Sequence, residues 1–134
     1  MGKNYRIPVV AAVITQNSKI LVCQRKAGSR HQLKWEFPGG KIEKGESPRR
    51  ALARELNEEL GIDATIGCEL TRYEFTYPKG ATLLLIFHEV REYRGEIENA
   101  VFEKIEWAER RTLLKYDFLE GDIDFVKRLS NGEW

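Results

Sequence analysis

A helix with sequence signals at both ends constrains this chain more than any other feature. Ser47 followed by Pro48 is typical of an N-cap and a first helical position, and Gly61 is typical of a left-handed C-terminal cap. Between these signals, leucines recur every four residues and form one apolar stripe. These leucines are Leu52, Leu56 and Leu60. The sequence therefore predicts a helix from Pro48 to about Leu60 that packs against a core.

Short apolar and β-branched runs surround this helix and predict strands. The predicted strands are Ile7–Thr15, Lys19–Gln24, Trp35–Phe37, Ala64–Cys68, Leu70–Tyr77, Thr82–Val90 and Lys104–Ala108. A terminal helix over Asp122–Leu129 is expected to bury Ile123, Val126 and Leu129. This order predicts one domain over residues 1–134 with an α/β fold of the α+β type, in which a mixed sheet lies between helices.

The charge balance excludes strongly basic nucleic-acid binders. The chain has 22 Lys and Arg against 21 Asp and Glu, a formal net charge of +1. The charges are nevertheless segregated along the chain. Residues 19–34 carry five basic groups and no acidic one, whereas residues 55–63 carry four acidic groups and no basic one. Such segregation suits a site where basic side chains meet phosphates and carboxylates hold a metal ion.

Cysteine usage and hydropathy indicate a cytoplasmic protein. Cys23 and Cys68 are far apart and form no C-x-x-C motif, so free thiols are expected. The apolar run Ile7–Ile14 is too short to cross a membrane. We expect no membrane partner and no long nucleic acid as partner, and both a monomer and a homodimer remain open.

Three glutamates of the predicted helix share one stripe. Glu55, Glu58 and Glu59 stand at i, i+3 and i+4, beside the leucine face. Carboxylates at this spacing repel one another, and a divalent cation would reverse that penalty. Oxygen ligands without cysteine or a histidine pair favour Mg²⁺, or alternatively Mn²⁺. The alternative is a solvated helix surface with an ordinary ion pair between Arg54 and Glu58.

The segment before the helix strengthens the metal interpretation. Gly39 and Gly40 leave a stretch of main chain without side chains, where a metal or phosphate can approach closely. Gly45 permits a tight turn, and Glu46 could bring a fourth carboxylate towards the helix.

Residues 40–62, with the sequence GKIEKGESPRRALARELNEELGI, resemble the complete Nudix box. The defining residues, at the family's spacing, are Gly40, Glu46, Arg54, Glu55, Leu56, Glu58, Glu59, Gly61 and Ile62. The segment WEFPGGKIEKGES, the run from residue 19 to 25 and the pair Glu106-Trp107 are similar to MutT-type nucleotide pyrophosphohydrolases.

The resemblance implies a Nudix fold in which the box forms a loop–helix–loop. It also implies that water attacks a bridging phosphorus of a nucleoside triphosphate and releases monophosphate and pyrophosphate, as in removal of damaged nucleotides. The implied metal ligands are the Gly39 carbonyl, Glu55, Glu58 and Glu59. The resemblance makes Glu55 the candidate base that activates water, with Arg54 orienting a glutamate and Glu46 supporting the cluster.

A further metal-directed glutamate of MutT-like proteins is replaced here by Val101. Glu98 and Glu103 are both near this position, and we favour Glu103 as the substitute ligand. The alternative is an exposed charge without a ligand role.

The resemblance also places a set of residues around the nucleotide. The set is Arg25, Arg30, Glu36, Phe37, Pro38 and Lys79. Asp122 stands where MutT has a base-reading asparagine. An ionised Asp only accepts hydrogen bonds, which favours donor-rich bases such as cytosine in CTP or dCTP, or the guanine edge of 8-oxo-dGTP. The alternatives are solubilising loop charges, a core role for Phe37, and a helix cap for Asp122.

Three other activities stay open on the sequence alone. They are removal of pyrophosphate from the 5′ end of triphosphorylated RNA, cleavage of a nucleotide sugar, and nucleotide binding without catalysis on the same fold.

Overall fold

The elements follow the chain in the order that the sequence predicts, with additions. The computed structural model describes residues 5–134. Its strands are β1 (Arg6–Gln16), β2 (Lys19–Gln24), β3 (Trp35–Glu36), β4 (Gly39–Lys41), β5 (Asp63–Thr65), β6 (Glu69–Thr76), β7 (Thr82–Val90), β8 (Glu92–Arg94) and β9 (Lys104–Glu109). The helices are α1 (Pro48–Leu60) and α2 (Ile123–Ser130), with 3-10 helices at Arg110–Lys115 and Glu120–Asp122.

A mixed seven-stranded sheet runs through the centre of the molecule. Its main path is β3-β2-β1-β7-β6, with β4 paired to β1 and β9 paired to β2. β1 lies parallel to β7, from Arg6 opposite Thr82 to Ile14 opposite Val90, whereas its pairs with β2 and β4 are antiparallel. β5 and β8 form a separate two-stranded sheet.

One helix packs on each face of the sheet. The leucine stripe of α1 is fully buried against residues of β1 and β7 such as Ile14 and Ile86. On the opposite face, α2 packs Phe125 and Leu129 against Val13 and Phe87. The prediction of a mixed sheet between helices is therefore confirmed.

The predicted ends of α1 are confirmed. The Arg50 N–H donates to the Ser47 hydroxyl at 3.2 Å, which satisfies one of the free N–H groups of the first turn. Gly61 has φ +71° and donates its N–H to the Asn57 carbonyl at 3.0 Å. Both caps fix where the box helix begins and ends.

Several predicted elements differ from those observed. The strand predicted over Ala64–Cys68 ends at Thr65, because residues 67 and 68 bond to the main chain of Glu89 instead of continuing along β8. Glu36 ends the strand predicted to reach Phe37. In α2, Ile123 is only half-buried and Phe125 takes its place in the core.

The thiol prediction is confirmed, since Cys23 is a free buried thiol and Cys68 a free exposed one. Within residues 5–134, no helix is long and apolar enough to cross a membrane.

Candidate active site

Arg54 ties the loop before α1 to the helix itself. Its Nε donates to Glu46 Oε2 at 2.6 Å and its Nη2 to Glu46 Oε1 at 2.9 Å, a bidentate pair. Its Nη1 lies 3.3 Å from both Glu55 Oε2 and Glu58 Oε1. The predicted pairing of Arg54 with Glu58 and the predicted return of Glu46 to the helix are both observed.

Glu46 is held as a carboxylate. The hydrogen bonds from Arg54, and next the one from the Glu43 N–H at 2.9 Å, lower the pKa of Glu46 to about 2. Its two oxygens are therefore occupied by Arg54 and by the loop main chain.

Glu55 and Glu59 lie where the main chain of β4 passes α1. The Gly39 N–H donates to Glu59 Oε1 at 3.1 Å. A Cβ on Gly40 would overlap the Glu55 carboxylate, so any side chain at this position would displace that carboxylate. Burial, and next the neighbouring Glu55, raise the pKa of Glu59 far above its usual value. The two carboxyl groups thus crowd each other in a partly dry site.

The structure brings together only part of the predicted ligand set. Glu58 is 57% exposed and faces Arg54. The Gly39 N–H, rather than its carbonyl, contacts Glu59. Across the described residues 5–134, no three Asp, Glu, His or Cys side chains meet at one point. The box therefore supplies a pair of crowded carboxylates, with Glu58 at the solvent edge of the same helix.

The contacts of the two candidates for the extra ligand differ. Glu103 Oε1 accepts from the Ala27 N–H at 3.2 Å, at the base of the loop over residues 25–34. The Glu98 N–H bonds to the Leu60 carbonyl at the end of α1. The Glu103 contact secures a loop.

A cavity of about 340 Å³ opens beside Glu59 and Gly40 of the box. The lining residues on which the account depends are Arg25, Arg30, Glu36, Phe37, Gly39, Gly40, Glu59 and Asp122. One cavity therefore joins the box to residues from β3, the loop before it and the start of α2. Its size is within the range of small-molecule sites.

Asp122 is a second acid of the cavity, besides Glu59, whose pKa is strongly raised. Its side chain is 7% exposed, and burial, with a smaller contribution from the negative Glu36, raises its pKa to about 8. The expectation of an ionised Asp122 is therefore wrong: near neutral pH its carboxyl is mostly protonated and can both donate and accept. Among residues 5–134 it forms no side-chain hydrogen bond that caps α2.

Arg25 is engaged inside the cavity wall. Its Nη1 lies 3.2 Å from Glu36 Oε2, and its Nε donates to the Arg30 carbonyl at 2.8 Å. Burial raises the pKa of Glu36, and Arg25 opposes that shift. Arg25 therefore neutralises Glu36 at the same time as it faces the cavity.

The remaining predicted substrate residues divide between core and surface. Phe37 both lines the cavity and packs edge-on against Phe87, so its core role is observed as well. Pro38 is buried, and its carbonyl accepts from the Ala12 N–H at 2.9 Å. Lys79 lies in the exposed turn after β6 and, among the described residues, is not part of the cavity lining.

Sequence reasoning missed two aromatic residues of the cavity. His31 and Tyr77 lie with ring centroids 5.0 Å apart and both line it. His31 has φ +55° in an irregular loop, which no periodic pattern marks. Tyr77 could have been found, because Tyr73, Phe75 and Tyr77 alternate along the predicted strand and must share one face.

The family model of the NUDIX domain matches residues 5–129. The chain belongs to the Nudix hydrolase family. Its Nudix box is the unit described above, with Glu46 and Arg54 joining loop to helix. Nudix hydrolases use divalent metal cations.

Two Nudix relatives and one solved structure cover nearly the whole chain. A CTP pyrophosphohydrolase of Escherichia coli (strain K12) is 37% identical over 121 residues, which are 90% of this chain and 89% of that protein. An 8-oxo-dGTP diphosphatase of Haemophilus influenzae (strain Rd) is 35% identical over 128 residues, 94% and 93% of the two chains. The solution structure of the E. coli ORF135 protein superposes with a TM-score of 0.84 at 36% identity, over 95% of this chain and 90% of that one.

The Nudix box of this chain fits a hard divalent cation. Its donors are carboxylate and main-chain oxygens, and Glu55 and Glu59 crowd each other in a way that a bound cation would relieve. Glu58 lies beside them on the helix, where its mostly exposed carboxylate accepts a hydrogen bond from Arg54. The Arg54–Glu46 pair holds the loop that frames these groups.

Proposed function

We propose that this Nudix hydrolase cleaves nucleoside triphosphates to monophosphate and pyrophosphate in the presence of Mg²⁺. The proposed substrates are modified or normal deoxynucleotides of the 8-oxo-dGTP or CTP/dCTP type. One observation carries the proposal: a single cavity is lined both by Glu59 and Gly40 of the box and by Asp122 and Glu36. A nucleotide that spans this cavity would place its phosphates near the carboxylates that hold Mg²⁺ and its base near the buried polar groups.

Each residue of the box has a proposed part in the reaction. Glu55, Glu58, Glu59 and the Gly39 carbonyl would hold Mg²⁺, with Mn²⁺ as a possible substitute. The cation would neutralise phosphate charge and make bound water more acidic. Glu55 accepts the proton of the attacking water. The new bond joins the water oxygen to phosphorus, and the bridging oxygen leaves with the second product.

Arg54 and Glu46 keep the glutamates in place rather than touch the substrate. Arg54 reaches Glu55 and Glu58 from one side and Glu46 from the other. Arg30, and Arg25 in part, supply positive charge for the phosphates. Glu103 would join the ligand set only by leaving the Ala27 N–H.

The base site would recognise a nucleobase through Asp122 and Glu36. A protonated Asp122 presents one donor and one acceptor, as an amide does. This pattern suits a cytosine edge or an oxidised guanine edge. Phe37 and Leu85 supply apolar walls.

We infer further that residues 1–134 act as one domain in the cytoplasm on free nucleotides, as a monomer or homodimer. The near-neutral charge and the free thiols support this setting.

A substrate panel tests the proposal. Wild-type protein with Mg²⁺ is assayed on the four normal deoxynucleotides, CTP, 8-oxo-dGTP, a triphosphorylated RNA and a nucleotide sugar. We expect the highest kcat/KM for 8-oxo-dGTP, CTP or dCTP. Preference for the RNA or the nucleotide sugar would overturn the substrate class, and absence of turnover on every compound would overturn the enzyme function.

A further inference from the structure

Tyr73 of β6 and Tyr77, the residue directly after β6, hydrogen-bond to the carbonyl and to the N–H of Gly121. The Tyr73 hydroxyl donates to the Gly121 carbonyl oxygen at 2.6 Å. The Gly121 N–H donates to the Tyr77 hydroxyl at 3.1 Å. Gly121 directly precedes Asp122, so these two bonds fix the chain at the residue before the buried acid of the cavity.

Both hydroxyls arrive on rigid side chains. Tyr73 and Phe75 share the half-buried face of β6, and Tyr77, directly after the strand, continues the same two-residue alternation of half-buried side chains. The Tyr73 ring stacks on Phe87 with centroids 5.9 Å apart, and Phe75 meets Tyr77 edge-on at 4.8 Å. Packed aromatic rings lose little further freedom when they form a hydrogen bond, so the contacts to Gly121 are well defined.

Gly121 fits closely between these side chains. A Cβ at this position would lie 3.3 Å from the Tyr77 hydroxyl oxygen, and equally close to Phe75 and Leu85. These distances are tighter than ordinary contacts. The absence of a side chain therefore lets the main chain reach the hydroxyls.

A second tie joins β6 to α2. Arg128 Nη1 donates to Thr71 Oγ1 at 3.2 Å, and Thr71 lies on the same face of β6 as Tyr73. The edge strand thus holds α2 both just before its first residue and near its last turn. A shift of β6 would move Asp122 with it.

We propose that Tyr73 and Tyr77 are positioning residues for nucleobase selection: they fix the Gly121 peptide and thereby set where the Asp122 carboxyl meets the base. This inference rests on the proposed function, since it assigns base reading to Asp122. Tyr73 is the sharper probe, because Tyr77 lines the cavity whereas Tyr73, among the described residues, does not.

Tyrosine-to-phenylalanine variants test the inference. Tyr73→Phe and Tyr77→Phe are compared with Tyr116→Phe as a control. In the wild type, the Tyr116 hydroxyl donates to Glu106 Oε1 at 2.9 Å, and neither residue is among the described residues that line the cavity. For each, kcat and KM are measured on the preferred triphosphate and on a poorly used one. We expect the ratio of the two kcat/KM values to fall about two- to tenfold for both test variants, the loss expected for one hydrogen bond. For Tyr73→Phe, whose side chain is not among the described residues that line the cavity, kcat on the preferred substrate should stay within twofold.

An unchanged ratio in both test variants would overturn the inference, as would an equal loss of selectivity in Tyr116→Phe. A double substitution sharpens the result. In an Asp122→Ala background, Tyr73→Phe should cause no further loss of selectivity, whereas additive losses would show that the tyrosine acts elsewhere.

A failure of the proposed function is distinguishable from a failure of this inference. If no triphosphate is hydrolysed, the proposed hydrolase function is wrong. The positioning of Asp122 is then tested by measuring the affinities of dCMP and 8-oxo-dGMP by calorimetry. A wild-type affinity ratio that Tyr73→Phe reduces supports the inference, and equal affinities in wild type overturn it. If a phenylalanine variant fails to fold, Gly121→Ala keeps both hydroxyls but displaces the peptide, and it should lower selectivity in the same way.

Discussion

Arg54 is the residue through which the loop and helix of the Nudix box act together. It binds Glu46 with two hydrogen bonds and reaches Glu55 and Glu58 with its remaining nitrogen. A guanidinium matches a carboxylate in a planar, bidentate geometry that an ammonium lacks. The positive charge alone therefore does not account for its place in the box.

Arg54→Lys should retain the charge and lose the geometry. We expect kcat/KM to fall about 10- to 100-fold, the range typical for residues that orient ligands, with little change in melting temperature. Steady-state kinetics at several Mg²⁺ concentrations measure this. Full activity in the lysine variant would contradict the orienting role, and Lys44→Arg, in the exposed loop, provides the matched control.

Asp122 shows how burial changes what a side chain can recognise. Its pKa of about 8 follows first from loss of water and then from the charge of Glu36. The sequence marks the position but not the charge state, because neither its burial nor the proximity of Glu36 is visible in a linear pattern. The hydrogen-bonding capacity of Asp122 could therefore be obtained only from the fold.

The pKa shift of Asp122 predicts a pH-dependent stability. Between about pH 4 and pH 8 the unfolded chain releases this proton and the folded chain keeps it, so folding is disfavoured as pH rises. Asp122→Asn lacks this effect. Its free energy of unfolding relative to wild type should therefore rise by up to about 1.4 kcal/mol per pH unit in that window and level off above pH 8.

Urea unfolding at pH 5, 6, 7, 8 and 9 measures the difference. A difference that does not vary with pH would show that Asp122 has an ordinary pKa.

At the scale of elements, β4 is one of two strands, with β8, that the side-chain pattern did not predict. Gly39 and Gly40 have no strand propensity, yet β4 pairs with Val9–Ala11 of β1 and passes beside Glu55 and Glu59. This strand therefore forms because its main chain pairs with β1, and not because of its local sequence. The helix α1, by contrast, was predicted correctly because its caps and leucine stripe are local signals.

The two glycines of β4 should respond differently to substitution by alanine. A Cβ on Gly39 would overlap the Val10 carbonyl, at φ +152°, so Gly39→Ala should destabilise the fold by about 1–3 kcal/mol. A Cβ on Gly40 would overlap only the flexible end of Glu55. Gly40→Ala should therefore lower kcat with a smaller loss of stability.

Thermal unfolding and steady-state kinetics on both alanine variants separate the two effects. Equal losses of stability, or full activity in Gly40→Ala, would contradict the assigned contacts.

At the scale of the whole molecule, the segregated charges are arranged differently from the linear prediction. Of the five basic residues in 19–34, Arg25 and Arg30 line the cavity, and Arg25 is already paired with Glu36. Lys34 instead binds Asp117 at 2.8 Å on the surface. The charge of the segment therefore indicated correctly that part of it lines the cavity. Which basic residues do so depends on contacts between distant parts of the chain.

The same limit applies to the site as a whole. The box motif predicted the residues that the Arg54 network joins, because their spacing on one helix is local. The cavity wall formed by His31, Tyr77 and Leu119 comes from three separate segments, and only their packing brings them together.

Product analysis of wild type and Glu55→Gln is the decisive experiment for the proposed hydrolysis. With 8-oxo-dGTP or dCTP and Mg²⁺, ³¹P NMR should show monophosphate and pyrophosphate in equal amounts from wild type. Glu55→Gln should lose at least about 100-fold in rate, as expected when a general base is removed, and Glu92→Gln, an exposed glutamate of β8, should match wild type. Nucleoside diphosphate and inorganic phosphate as products, or undiminished turnover by Glu55→Gln, would contradict the proposed reaction.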